Sequence, residues 1–162
     1  MLFRSLLSAM KRGGVLYGIQ GRTVDEVLTS AVNGIAVFPP EVKTELLERL
    51  LERERLTSTG IGKGIAIPHP RTPSSDEVDG PVIVTCFLEA PVDYMAVDNR
   101  PVFALFILLS RSPRQHLQIL SRLSFCVRDD AFVDFLRSKP GRDAFFARIE
   151  AFEAALDQKG LV

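Results

Sequence analysis

The sequence predicts an α/β fold: one β-sheet with helices packed on both of its faces. Three observations lead there. Strand-like and helix-like segments alternate along the chain with no long linker between them. One strand, Val102–Leu109, is apolar on both faces, as a central strand covered from both sides must be. Finally, 162 residues with 46% hydrophobic and 25% charged side chains suit one domain, residues 1–162, whose core needs no staples.

The elements follow in order. The first 22 residues carry Arg4, Lys11, Arg12 and Arg22 and no acid, and their opening part reads as a solvated N-terminal segment. Val15–Gln20 reads as a short strand. Thr23-Val24-Asp25-Glu26 has the form of a capping box, in which hydroxyl and carboxylate satisfy orphan amides reciprocally. Val24, Val27, Leu28, Ala31 and Val32 continue it at helical spacing until Asn33-Gly34. A second helix is predicted over Pro40–Arg53, burying Val42, Leu46, Leu47, Leu50 and Leu51. Pro81–Leu88 and Pro101–Leu109 are the clearest strands, with a turn at Asp98-Asn99 between them. Ser112-Pro113-Arg114-Gln115 opens the next helix with an N-cap serine and proline at the first position. Its buried face is predicted to hold Leu117, Leu120, Cys126 and Val127. A short helix over Asp130–Arg137 ends before Pro140-Gly141. The last runs from Arg142 to Leu156 and packs through Phe145, Phe146, Ile149 and Phe152.

Composition excludes several classes of function. Twenty Lys+Arg against 20 Asp+Glu leave no net charge, so no nucleic-acid partner is expected. The longest apolar run, 102–109, is far short of the ~20 residues that span a bilayer, so no membrane insertion is expected. Arg4 and Ser5 interrupt the start before a signal-peptide core could accumulate. Cys86 and Cys126 lie in apolar stretches and read as buried thiols, which makes the cytoplasm the default location. Acidic pairs such as Asp129-Asp130 and Glu52/Glu54 read as a helix cap and a solvated face.

One stretch breaks the helix–strand rhythm: Ser58-Thr59-Gly60-Ile61-Gly62-Lys63-Gly64-Ile65-Ala66-Ile67-Pro68-His69-Pro70-Arg71. Gly60, Gly62 and Gly64 allow close backbone approach, and with Ser58, Thr59 and Lys63 they suit an anion held by backbone amides. A glycine-rich edge turn accounts for the same composition equally well. The spacing matches neither a phosphate-binding P-loop nor a dinucleotide fingerprint. His69 follows a short apolar strand, between two prolines that fix its backbone and remove competing donors. The other histidine, His116, falls near the start of the capped helix, whose positive end favours the neutral ring. A neutral imidazole can attack phosphorus, or donate from one nitrogen while accepting at the other. No carboxylate or thiol lies at ligand spacing from His69, so neither metal nor cofactor is expected.

Ser58-Thr59-Gly60-Ile61-Gly62-Lys63-Gly64-Ile65-Ala66-Ile67-Pro68-His69 resembles the active-site signature of the enzyme IIA components of the bacterial phosphoenolpyruvate:sugar phosphotransferase system, fructose/mannitol class. Arg53-Glu54-Arg55-Leu56 resembles that class's R-E-x-L element, and Gln115-His116-Leu117 its second histidine, 47 residues after the first. Pro91-Val92-Asp93, Asp98-Asn99 and Pro101-Val102 resemble the intervening strand-turn-strand. The similarity runs from about residue 6 to 155, leaving 1–5 and 156–162 as terminal extensions.

The resemblance implies a mixed sheet sandwiched by helices, the mannitol-type enzyme IIA fold, and a phosphocarrier. By similarity His69 accepts the phosphoryl group from an HPr-type protein, His116 positions it and Arg53 neutralises its charge. The implied acceptor is an enzyme IIB or a regulatory target protein. Two departures stand out. Lys63 replaces the usual Asn or Glu, either strengthening phosphate binding or lying solvated, and Pro70 replaces a small residue. Arg71 resembles the nitrogen-regulatory branch, which makes a regulatory carrier the leading reading. The alternatives are a sugar-dedicated carrier feeding a membrane permease, and a binding module that no longer takes phosphate. For a carrier, the loop 58–64, the segment after His69 and the 112–115 helix start should form an apolar, shallow rim, with Arg53, Lys63 and Arg71 contributing charge for phosphate and partner.

Overall fold

The computed structural model describes residues 6–72 and 80–158. Residues 1–5, with Arg4, and 159–162 lie outside them, whereas residues 156–158 of the expected C-terminal extension belong to the last helix. In chain order the elements are α1 (Leu6–Gly13), β1 (Val15–Ile19), α2 (Val24–Asn33), α3 (Pro40–Leu56), β2 (Gly60–Gly62), β3 (Ile65–Ala66), β4 (Val82–Val92), β5 (Val102–Leu109), α4 (Pro113–Val127), α5 (Asp130–Arg137) and α6 (Arg142–Gln158). The five strands form one mixed sheet in the order β1-β4-β5-β3-β2. β1 runs parallel to β4 and β3 parallel to β5, whereas β4–β5 and β2–β3 are antiparallel.

Strand alternation sorts the core into two layers. Ile83 and Phe87 of β4, with Ala104, Phe106 and Leu108 of β5, pack beneath α1, α4, α5 and α6. Val84, Cys86 and Leu88, with Leu105, Ile107 and Leu109, pack beneath α2 and α3. All eight residues of β5 are buried, as a strand covered on both faces requires. Both cysteines are buried and unpaired.

The predicted caps form. Thr23 accepts from the Glu26 amide and Ser112 from the Gln115 amide, each with its hydroxyl oxygen. Asp129 caps α5 through Ala131. α3 runs on to Leu56 and β4 to Val92, both longer than the patterns predicted.

Two expectations fail. Residues 6–13 are not a solvated segment but a helix with Leu6, Ala9 and Met10 fully buried. Its stripe is too short to register as a helical period, and its first amides are held from far away. The Leu6 and Leu7 amides donate to the Glu153 carboxylate of α6, which also pairs with Arg122 of α4. Leu117 is 64% exposed rather than buried. The inward stripe of α4 is Ile119, Leu123, Cys126 and Val127. Stepping back three residues from Ile119 places His116, not Leu117, on the stripe that faces the sheet.

Candidate functional site

Parallel pairing determines where the two histidines meet. β3 and β5 run side by side in the same direction, so the segments leaving them emerge at one end of the sheet. Chain leaving β3 passes through Ile67-Pro68 to His69, and chain leaving β5 passes through Ser112 into α4 and reaches His116 in its first turns. The Leu108 amide donates to the Pro68 carbonyl at 2.9 Å and extends the β3–β5 pairing to the residue before His69. The rings of His69 and His116 come to 4.8 Å between centroids, tilted by 49°.

The His69 Nδ1 lies 2.7 Å from the Ile67 carbonyl oxygen. A carbonyl only accepts, so Nδ1 carries the proton and Nε2 keeps its lone pair. Burial pushes the pKa of His69 down. The Ile67 hydrogen bond opposes that shift and the nearby Arg53 guanidinium adds to it. The pKa of His116 is also pushed down, by burial first and then by the charge of His69. Both rings are therefore biased toward the neutral form in which one nitrogen can attack or accept. Arg53 stands in the last turn of α3, its guanidinium donating to the Thr57 carbonyl at 2.7 Å.

The glycine-rich segment is a hairpin at the edge of the sheet, β2 turning into β3. Lys63 and Gly64 both have positive φ, 60° and 85°, at its tip. Asn tolerates the first of those positions better than most residues. A Cβ on Gly64 would lie 2.6 Å from the Phe103 ring, and one on Gly60 2.8 Å from the Ala96 Cβ. These contacts press the hairpin against β5 and the 94–97 loop.

Several polar groups of the hairpin have partners within the protein. Ser58 Oγ donates to the Tyr94 carbonyl and accepts from the Gly60 amide. Thr59 donates to Glu54 from both its amide and its hydroxyl. The Lys63 amide donates to Asp98, which lies beneath Gly62. The Lys63 ammonium reaches the far end of α4, 3.0 Å from the Arg128 carbonyl and 2.7 Å from Asp130. Arg71 is exposed, two residues beyond His69. The structure thus joins His69, His116 and Arg53, and directs the side chains of Ser58, Thr59 and Lys63 elsewhere.

Glu54 is the residue the sequence reading missed. It does not lie on a solvated face. Burial raises its carboxyl pKa, opposed by the two Thr59 hydrogen bonds and the Arg53 charge. The Tyr94 hydroxyl is buried close to it without a hydrogen bond of regular geometry. A threonine five residues on, just past the helix end, was the available signal. Leu117, next to His116, exposes its apolar side chain, as do Ile61 of the hairpin and Met95 and Val97 of the loop packed against it. Among the described residues, no three His, Cys, Asp or Glu side chains stand together as a metal site, and no helix is long and apolar enough to cross a membrane.

Residues 10–152 match the family model described as phosphoenolpyruvate-dependent sugar phosphotransferase system, EIIA 2. A nitrogen regulatory protein of Pseudomonas aeruginosa is 35% identical over 137 residues, covering 83% of this chain and 87% of that one. The crystal structure of the nitrogen regulatory protein IIA-Ntr of Neisseria meningitidis superposes with a TM-score of 0.68 at 26% identity, covering 87% of this chain and 92% of that one. The enzyme IIA of the mannitol system of Escherichia coli, solved in complex with phosphorylated enzyme IIB, shares the fold. Its TM-score is 0.68 at 21% identity, covering 85% of this chain and 94% of that one.

Proposed function

This chain belongs to the EIIA 2 family of the phosphoenolpyruvate-dependent sugar phosphotransferase system, and from that premise we propose that His69 carries the phosphoryl group, on Nε2. Family membership implies a phosphoryl-carrier role. The observation that supports this particular atom is the Nδ1–H hydrogen bond to the Ile67 carbonyl, which leaves Nε2 as the ring's free nucleophile.

The step balances without moving a proton. The donor is a phosphohistidine whose second ring nitrogen is protonated. As Nε2 of His69 bonds to phosphorus, the donor's N–P bond breaks and the donor leaves as neutral imidazole. Positive charge develops on the His69 ring, where the Ile67 carbonyl already accepts from the acidifying N–H. His116, neutral and in ring-to-ring reach, supplies a donor to the phosphoryl oxygens. Arg53 offsets part of their roughly two negative charges. Positioning and electrostatics are what phosphoryl transfer chiefly demands.

The donor in this reading is an HPr-type phosphocarrier, met in the cytoplasm over a surface that includes the exposed Leu117 beside His116. Relatives that cover most of the chain are named nitrogen regulatory proteins, which favours a regulatory use of the phosphorylation state. A second reading, onward transfer to an enzyme IIB, draws on the complex known for the mannitol protein. The test is incubation with phosphoenolpyruvate, enzyme I and an HPr-type carrier. The chain should gain one acid-labile, base-stable phosphate, and His69→Ala should gain none. Label persisting in that variant refutes the assignment.

A further inference from the structure

We propose that Glu54 is a positioning residue for His69, acting through the hydrogen-bonded series Glu54, Thr59, Ile67, His69. Thr59 donates twice to the Glu54 carboxylate, its amide to Oε2 at 3.1 Å and its hydroxyl to Oε1. The Thr59 carbonyl accepts from the Ile67 amide at 3.0 Å. The Ile67 carbonyl accepts from Nδ1 of His69 at 2.7 Å. Each link is one residue's backbone, so a shift of Thr59 is passed to the carbonyl that determines which ring nitrogen of His69 is free.

The local sequence makes this series hard to replace. The carbonyl that holds Nδ1 belongs to the Ile67–Pro68 peptide, which has no N–H. His69 is followed by Pro70, which again has none. The Ile67–Pro68 unit is therefore oriented from its two flanks, by the Ile67 amide on Thr59 and by the Pro68 carbonyl on the Leu108 amide. β5 supplies the second anchor and Glu54 secures the first. Glu54 can do so because it sits in the last turn of α3, buried enough that water does not compete freely for its oxygens. Two neighbours in sequence thus take different tasks at one site. Arg53 acts on the charge around the ring, and Glu54 governs the ring's tautomer.

The inference rests on His69 being the phosphoryl acceptor, but its first readout does not. In the full chain labelled with 15N-histidine, long-range proton–nitrogen spectra report which ring nitrogen of His69 holds the proton. The wild type should be the Nδ1–H form. Glu54→Ala should give a mixture of tautomers, and phosphoryl acceptance should fall about 10-fold, as when a partner that orients a functional histidine is lost. Glu54→Gln keeps an acceptor oxygen and should restore both. If Glu54→Ala unfolds, Thr59→Val removes one arm of the clamp at constant shape, and its spectrum should still show the mixture. A folded Glu54→Ala or Thr59→Val with the wild-type tautomer overturns the assignment. So does a Glu54→Gln as impaired as Glu54→Ala, since charge alone would then be at work. A wild-type His69 in the Nδ1–H form that takes no phosphate refutes the carrier reading instead, and leaves the role of Glu54 in the tautomer standing.

Discussion

Replacing Glu153 with alanine tests how the helical layer over the first core is held together. Its buried carboxylate accepts from the Leu6 amide at 2.8 Å and the Leu7 amide at 3.0 Å, and pairs with Arg122 at 2.9 Å. The substitution leaves two amides at the start of α1 without their acceptor. Losing a helix cap typically costs about 1 kcal/mol. It also breaks an ion pair whose partners are only 12% and 8% exposed. Removing one member of a buried pair costs about 3–5 kcal/mol. The lower end applies, because Asp157 still lies 3.5 Å from the Arg122 guanidinium. The sum is about 4 kcal/mol, a large share of the roughly 5–15 kcal/mol that holds a domain folded. For a chain of this size it corresponds to a fall in Tm of roughly 8–16 °C. Urea unfolding followed by circular dichroism should show a lower midpoint at an unchanged slope. Well below the midpoint, phosphoryl acceptance should match wild type, since Glu153 touches neither histidine. A loss under about 1 kcal/mol would refute the reasoning, because the pair would then be as weak as an exposed one.

The other predictions concern the site. Arg53→Ala should slow single-turnover transfer from phosphorylated carrier by about 10²-fold, the cost of removing one electrostatic stabiliser. Lys63→Asn should leave transfer and its salt dependence nearly unchanged, because that ammonium is engaged by Asp130 and the Arg128 carbonyl; if Lys63→Asn is the more damaging, the site's charge resides in the hairpin. Transfer should rise with pH through the lowered pKa of His69 and stay flat above it, with a half-point below the ordinary value of about 6.5. Stability should follow with the matching sign. The unfolded histidines take up protons near pH ~6.5 that the folded ones do not, so urea midpoints should fall as pH drops below that value and stay constant above it. A rate half-point at or above 6.5 would mean that burial does not govern His69.

The parts of this protein that were legible in the sequence are those whose signals are local. A serine or threonine three residues before a Glu or Gln, ahead of a helical apolar pattern, is a local helix-start signal, and the caps at Thr23 and Ser112 formed as read. Eight apolar residues in a row need cover on both faces, and β5 has it. Pro-His-Pro restricts its own backbone, so His69 stood out before any contact was known. What could not be read depends on partners distant in sequence. The eight residues of α1 are a helix because a carboxylate 147 positions away from Leu6 accepts their first amide. The ammonium of Lys63 leaves the hairpin because the end of α4 offers it carbonyls and the start of α5 a carboxylate.

The site divides along the same line. The sequence by itself determined which groups could do the chemistry: two histidines, the only ones in the chain, one held between prolines and the other near a helix start that favours a neutral ring. Only the tertiary structure decided that they face each other at 4.8 Å, that Nε2 of His69 is the free nitrogen, and that Glu54 is drawn inward to Thr59. The physical reason is that residue type carries chemical capacity, whereas orientation and burial arise when parallel β3 and β5 bring separate segments of the chain to one end of the sheet.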